Sequence, residues 1–278
     1  MSYQNFIPTV WSEAINHELE RAHVFVPDTN RQYEGEVSKA GDTVRILGIG
    51  KPTITTTVTK NGSISLSAPE TVEDSSASLL IDHVSYFNYK VDDIDKRQAI
   101  GGIMDALSKE TSEALAQEED VAVSSLSAAK EAVLKDATAT QVNVNSILGY
   151  IDDGLEKLYE NDVAPNTEIT MTVPPWFYMM LKQAYIKLDT DNSDMLENGR
   201  VGRYGNVIVR MSNNVAKDAS NHSLIQLKTK RAIAYAKPMT HTEPYRPEAA
   251  FSDAVKGFIL YGTRIVRPKE MIILNCYE

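Results

Sequence analysis

Apolar and polar positions change period several times along the chain, and the changes mark its organisation. After Pro8, the residues Trp11, Ala14, Ile15, Leu19 and Ala22 recur at helical spacing, which predicts a helix over 9–22 with Thr9 as N-cap. Residues 35–91 read differently. Thr43-Val44-Arg45-Ile46-Leu47 and the run 53–59 are dense in β-branched residues, and Asn61-Gly62 just beyond tolerates the positive φ of a hairpin turn. Gly48, Gly50 and Pro52 separate the two runs. Residues 60–78 are mostly Ser, Thr, Asn, Asp and Glu, too polar to build a core of their own, so this projection is expected to lie on a partner. A further strand is predicted over 79–91, with Leu79, Ile81, Phe87, Tyr89 and Val91 on one face and His83 and Ser85 interrupting it.

The middle of the chain is helical. Asp92-Asp93 supplies a cap and favourable negative charge, and Ile100, Ile103, Met104, Leu107, Ala114 and Leu115 form one stripe. They predict a helix over 93–119, about 40 Å long, which Gly101-Gly102 can bend. A second helix is predicted over 145–160 from Ile147, Ile151, Leu155, Leu158 and Tyr159, ended by Asn161 and Pro165. After a strand over 168–173, Pro174-Pro175 opens a third helix with Phe177, Met180, Leu181, Ala184 and Leu188 inward. The rest reads as strands over 206–211, 223–227, 232–236, 258–261, 264–266 and 271–274. With no internal repeat, the pattern is α+β.

Composition narrows the function classes. The 278 residues are 42% hydrophobic and 24% charged, enough for one large domain or two joined ones with a real core. The net charge of −10, without a long block of one sign, speaks against a dedicated nucleic-acid binder. It is compatible with a container, because an acidic wall would not hold DNA that must slide past it. No apolar run approaches the roughly 20 residues needed to span a bilayer, and Met1-Ser2-Tyr3-Gln4-Asn5 does not resemble a signal peptide. Cys276 stands alone, so no intrachain disulfide forms and a reducing cytoplasm is the expected site of synthesis.

Candidate chemistry fails on spacing. Gly48-Ile49-Gly50-Lys51 lacks the upstream glycine and following hydroxyl residue of a phosphate loop, where Arg45 and Pro52 stand. Gly199, Gly202 and Gly205 do not match a dinucleotide fingerprint. The run 189–194 begins like a calcium loop but has Asp194 where glycine is needed and Arg200 where glutamate is needed. His17, His23, His83, His222 and His241 show no zinc spacing, and Cys276 has no base near it in sequence. Glu118-Glu119-Asp120 reads as a solvated helix end, since neighbours on a helix point about 100° apart. Trp176-Phe177-Tyr178-Met179-Met180 reads as core and interface. No catalytic, cofactor or metal residue is assigned, and the chain is read as no enzyme.

Several stretches in order resemble the major capsid proteins of tailed bacteriophages, with their Hong Kong 97-like fold. Gly41-Asp42-Thr43-Val44-Arg45-Ile46 resembles the entry to that family's extended hairpin, the E-loop, and 87–95 resembles the strand that leads into its spine helix. Residues 155–175, with Asn161-x-Val163-x-Pro165 and Val173-Pro174-Pro175, resemble a helix, turn, strand and helix start of the family. Asn206-Val207-Ile208-Val209 with Ser212-Asn213-Asn214 resembles its axial (A) domain strand and turn. The closing resemblance lies in Glu243-Pro244-Tyr245-Arg246, Phe251-Ser252-Asp253, Val255-Lys256-Gly257, Tyr261-Gly262 and Val266-Arg267-Pro268.

The resemblance implies an N-terminal arm over 1–34, the E-loop and an adjoining strand over 35–91, and a peripheral (P) domain with the spine helix over 92–165. It further implies an A-domain over 166–255 and closing strands, mainly of the P-domain, over 256–278. It implies pentamers and hexamers in an icosahedral head around double-stranded DNA, assembled in the host bacterial cytoplasm, with a portal protein and no membrane. Because the arm begins near Met1, a separate scaffolding protein is expected. Trp11, Arg45, Lys51, Lys60, Asn61 and Gly62 are the candidate inter-subunit contacts; Lys51 and Lys60 do not match the family's lysine–asparagine crosslink pattern. Gly48, Gly50, Gly101 and Gly102 are candidate points of adjustment between subunits. The alternatives are an encapsulin-like compartment for enzyme cargo and, in a different class, a soluble acidic hydrolase.

Overall fold

A computed structural model of the chain describes residues 23–33, 43–49, 74–92, 103–187, 202–247 and 252–278. The β-branched run at 43–47 becomes strand β1 (Thr43–Ile49), which pairs antiparallel with β2 (Asp74–Leu80). The strand expected over 79–91 is in fact two. β2 ends at Leu80, the chain turns at Ile81-Asp82, and β3 (His83–Asp92) joins a different sheet. Leu79 and Ile81 are buried in the small core between the two, whereas Phe87 and Tyr89 are half-buried on the other.

Helix α1 (Ile103–Ser125) runs past the expected end at 119. Leu115 is buried and Leu107 half-buried as the stripe requires, but Ala114 is exposed. The buried face continues through Ala116, Glu119, Asp120, Val123 and Ser124, so the helix persists as long as that face is covered. Two short strands follow, β4 (Val133–Leu134) and β5 (Thr140–Gln141), then α2 (Ile147–Glu160), close to its predicted span. β6 (Ile169–Val173) leads to α3 (Pro175–Lys187), whose Phe177, Leu181 and Ala184 are buried as expected. Strands β7 (Arg203–Tyr204), β8 (Val207–Met211) and β9 (Ser223–Thr229) come next, followed by β10 (Ile233–Tyr245), β11 (Ser252–Ile265) and β12 (Met271–Tyr277). The runs expected at 258–261 and 264–266 are one strand, β11, and Gly257 and Gly262 inside it are places where another segment approaches closely.

The larger sheet has the order β4-β12-β9-β6-β8-β7, with β5 also on β12, and the second sheet the order β10-β11-β3. β6 and β9 are central and every residue of both is buried. Such strands read as near-continuous apolar runs when both faces are covered. α2 lies so close to the sheet that a Cβ at Gly154 would come within 2.8 Å of Leu274 and 3.3 Å of Leu227. Edge strand β10 loses register between Ala236 and Met239, around Pro238, a residue that cannot donate to a ladder and is accommodated at bulges and edges. The main core gathers Phe25, Ile147, Ile169, Met171, Phe177, Leu227, Tyr235 and Leu274 among others; Val44, Ile46, Leu79, Ile81, Ala234, Ala236 and Leu260 form a second cluster.

A candidate anchoring site

β9 carries two long polar side chains, Gln226 and Lys228, besides the small Ser223 and Thr229, into a strand with no exposed face. Buried polar groups need partners, and the two long ones find theirs at the end of α1 and on the segment 23–30. Gln226 Nε2 donates to the carbonyls of Val123 (3.0 Å) and Ser124 (3.3 Å) and to Ser127 Oγ (2.9 Å). Lys228 Nζ donates to the backbone carbonyl of Asp28. Segment 23–30 is thus strapped across the body, with Phe25, Val26 and Thr29 buried beneath it.

The last turns of α1 hold the other side of the strap, and here the sequence expectation is corrected. Glu118 is exposed, but Glu119 and Asp120 are 0% and 2% exposed and are not a solvated end. They stand one turn beyond the buried Leu115 and Ala116, on the covered face. Asp120 Oδ2 accepts from the backbone N–H of Val24 (2.7 Å), and its Oδ1 from Phe25 (3.0 Å) and Val26 (3.2 Å). Burial still outweighs these three bonds and raises the Asp120 pKa. At Glu119 the balance is the reverse: burial pushes upward, but the His23 ring, 2.9 Å from Oε2, with the nearby Lys237 and the Tyr235 hydroxyl, holds the carboxyl below its usual value.

Beyond the strap's centre, the Arg210 guanidinium meets Asp28 through NH2 to Oδ1 (3.1 Å) and Nε to Oδ2 (2.7 Å). The second contact is close but poorly angled for a hydrogen bond, so it is an ion pair rather than half of a two-bond fork. Asn30 then exchanges backbone bonds with the start of β10, its N–H to Ile233 O at 2.8 Å and its carbonyl to the Tyr235 N–H at 3.0 Å. Anchored at both ends, the strap is fixed against the body over residues 23–30.

Burial pushes the Lys228 amino group down to about 8; Asp28 opposes the shift, and Arg210 and Lys230 add to it. A lysine in the unfolded chain keeps an ordinary value near 10.4. Between those values the unfolded chain binds a proton that the folded chain lacks, so this residue's contribution to stability rises with pH across the window. Wild type is therefore expected to gain, relative to Lys228→Met, roughly 3 kcal/mol between pH 7.5 and 10.5. Parallel denaturant titrations of the two proteins would check it, and a pH-independent difference would contradict it.

The predicted contact residues fall into two groups. Arg45 lies on β1 opposite Ser78, while Trp11, Lys51, Lys60, Asn61 and Gly62 are outside the described residues, as are Gly50, Gly101, Gly102 and the run 189–194. Gly48 is paired with Ser75 within β1 and β2. Cys276 is fully buried, and burial raises its thiol to about 12. Sequence reasoning missed His23, Asp28, Glu119, Asp120 and Lys228. The available signal was the position of Glu119 and Asp120 at i+4 from apolar residues, together with polar Gln226 and Lys228 inside an apolar run.

The fold resembles that of solved phage structures. A chain of Mycobacterium phage Che8 matches with a TM-score of 0.73 at 22% identity, covering 90% of this chain and 90% of that one. The capsid structure of the cyanophage P-SCSP1u matches with a TM-score of 0.70 at 14% identity, covering 92% and 88%. The chain has the Hong Kong 97-like capsid fold. A virus-like particle from Pyrococcus furiosus carries the same capsid fold, with a TM-score of 0.62 at 13% identity over 96% and 98% of the two chains. No protein-family model matches the sequence, and no curated protein does. Among the described residues no helix is long and apolar enough to cross a membrane.

Proposed function

We propose that this chain is a structural major capsid protein, a subunit that assembles as pentamers and hexamers into an icosahedral phage head. The observation that carries the reading is the match along nearly the full length of both chains to phage capsid structures. The anchored strap supports it. A chain that fixes residues 23–30 by three backbone bonds to Asp120 and a buried lysine has a defined exit point for the arm that precedes them. On this reading the arm lies on a neighbouring subunit. Because each subunit would be held by several contacts, each need be only modestly strong.

On this reading the three-stranded sheet with α1 forms the P-domain body, and the larger sheet with α2 and α3 forms the A-domain. The chain passes between the two bodies more than once: β4 and β5 come from 133–141 and β12 from 271–277, yet all three lie in the larger sheet. The limits 92–165, 166–255 and 256–278 belong to the same proposal, as stretches of chain. Double-stranded DNA as contents, a scaffolding protein and a portal as partners, and assembly in the host cytoplasm belong to the same proposal. The role is structural and not enzymatic. The fold shared with the Pyrococcus furiosus particle keeps an encapsulin-like compartment as the second reading, at the lower TM-score.

Negative-stain electron microscopy of the purified chain, alone and with candidate scaffolding proteins, is the test. Closed shells, or rings of five and six, are expected. A uniform monomer or dimer under every condition would remove the shell reading.

A further inference from the structure

The strap continues past its anchor into residues 30–33, which form one wall of a hollow of about 550 Å³. The opposite wall is the turn between β9 and β10 with the end of β11. Arg31, Lys230, Arg231 and Arg267 line it, with Tyr33 and Val266 as its apolar part. Glu270 sits behind, 3.4 Å from the Arg231 guanidinium and 2.9 Å from that of Arg267, and Thr229 donates to it as well. Among the described residues the one carboxylate there, Glu270, is shared by the guanidinium groups of Arg231 and Arg267, and with Lys230 beside them these cations outnumber it, in a protein of net charge −10.

The solvent face of α2 has the opposite character. Ile147, Tyr150, Ile151, Gly154 and Leu158 are turned inward, and Asp152, Glu156 and Glu160 follow one another at i+4 on the exposed side, with Asp153 beside them and Lys157 as the one cation of the helix, its amino group donating to the Lys135 carbonyl. Like charges at this spacing destabilise a helix, so the stripe is a local cost to the isolated subunit. Asp152 is engaged by the Tyr204 hydroxyl (2.7 Å) and Asp153 by Lys135 (3.2 Å), both in the middle of the helix. Glu156 and Glu160 extend the stripe toward its end, and no residue of α2 lines the basic hollow.

We propose that the basic hollow receives the acidic stripe of α2 from a second copy of this chain. The inference rests on the shell reading and names a contact within it. Two different patches meeting head to tail make a heterologous contact, the kind that closes into rings. Copies that each carry −10 repel one another, and a matched pair of opposite patches selects one orientation against that background.

The test is a charge exchange in the full chain, read by sedimentation and electron microscopy of assembled particles. Lys230→Glu with Arg231→Glu, and separately Glu156→Lys with Glu160→Lys, are each expected to lower assembled material at least tenfold. All four substitutions together should restore it to within threefold of wild type. The milder pair Lys230→Gln with Arg231→Gln should give an intermediate loss, and melting curves of the unassembled proteins should overlay wild type. Wild-type assembly should also weaken between 0.05 and 0.5 M NaCl, as exposed charge pairs do. Full assembly of either double variant, or failure of the fourfold exchange to restore it, overturns the contact and leaves the shell reading standing. Inorganic phosphate or DNA held by wild type and lost from the Lys230/Arg231 variant, with assembly unchanged, assigns the hollow to a phosphate ligand and also overturns it. Wild type that never assembles overturns both readings.

Discussion

Replacing Asp120 by alanine is expected to free the strap while leaving the body folded. The carboxylate accepts three consecutive backbone N–H groups, from Val24, Phe25 and Val26, in a place closed to water. Without it each donor is either left unpaired in the interior, at about 1–3 kcal/mol apiece, or regains water by pulling the segment out. The second route limits the total, because release gives up the burial of Phe25 and Val26 but not the larger sheet. An overall loss of about 3 kcal/mol is expected in denaturant titration. The amides of residues 24–26 should exchange with deuterium many times faster, while those of β6 and β9 stay protected. Glu118→Ala, on an exposed neighbour of the same helix, should change stability by less than about 0.5 kcal/mol. If Asp120→Ala behaved like Glu118→Ala, the strap would not depend on this carboxylate. If the shell reading holds, the freed arm should also lower the yield of closed particles.

Asp120 also shows where sequence reasoning stops. Helix α2, strand β6 and helix α3 are legible because period, caps and breakers agree: an apolar stripe ended by Asn161 and Pro165, a short β-branched run, then prolines at a helix start. The end of α1 is not legible by the same means. Two adjacent carboxylates signal solvent by their residue type, and what makes them interior is a segment nearly a hundred residues earlier whose backbone needs acceptors. Polarity was read as exposure, when here it satisfies buried donors. Gln226 and Lys228 repeat the lesson on β9, where a strand with both faces covered leaves no outward position for a polar side chain. The predicted strand 79–91 fails for a topological reason: its alternation is real, but nothing local says that Leu80 pairs with β1 and His83 with β11. The contact candidates at Trp11, Lys51, Lys60, Asn61 and Gly62 depend on the order of segments and remain proposals about a neighbour's surface.

The junction at Leu80 carries the second large effect. Gly262→Ala is expected to destabilise the protein by about 3 kcal/mol or more, while Gly149→Ala should stabilise it by roughly 0.5–1 kcal/mol. Gly262 pairs with Ala236 toward the end of β11, and a Cβ there would lie 2.3 Å from the backbone oxygen of Leu80 and 2.9 Å from Ile81 Cδ1. A flexible side-chain end could move aside, but a carbonyl cannot. Leu80 is held by its pairing with Thr43, and Leu79 and Ile81 on either side are buried in the second core cluster. Relieving the clash therefore means lifting the β1–β2 pair away from β11 and uncovering Val44, Ile46 and Leu79. Gly149 is exposed in α2 with nothing within 4 Å of its Cβ position, so alanine there meets no neighbour and only lowers the entropy of the unfolded chain. Opposite signs for one chemical change separate close approach from simple flexibility. Thermal melting of the two variants side by side decides it, and a Gly262→Ala protein as stable as wild type would mean that β2 is not seated against β11. Because β1 and β2 lie within the stretch 35–91 proposed to hold the E-loop, the same displacement should disturb it. A Gly262→Ala chain that still folds should then form fewer closed particles than its loss of stability alone explains.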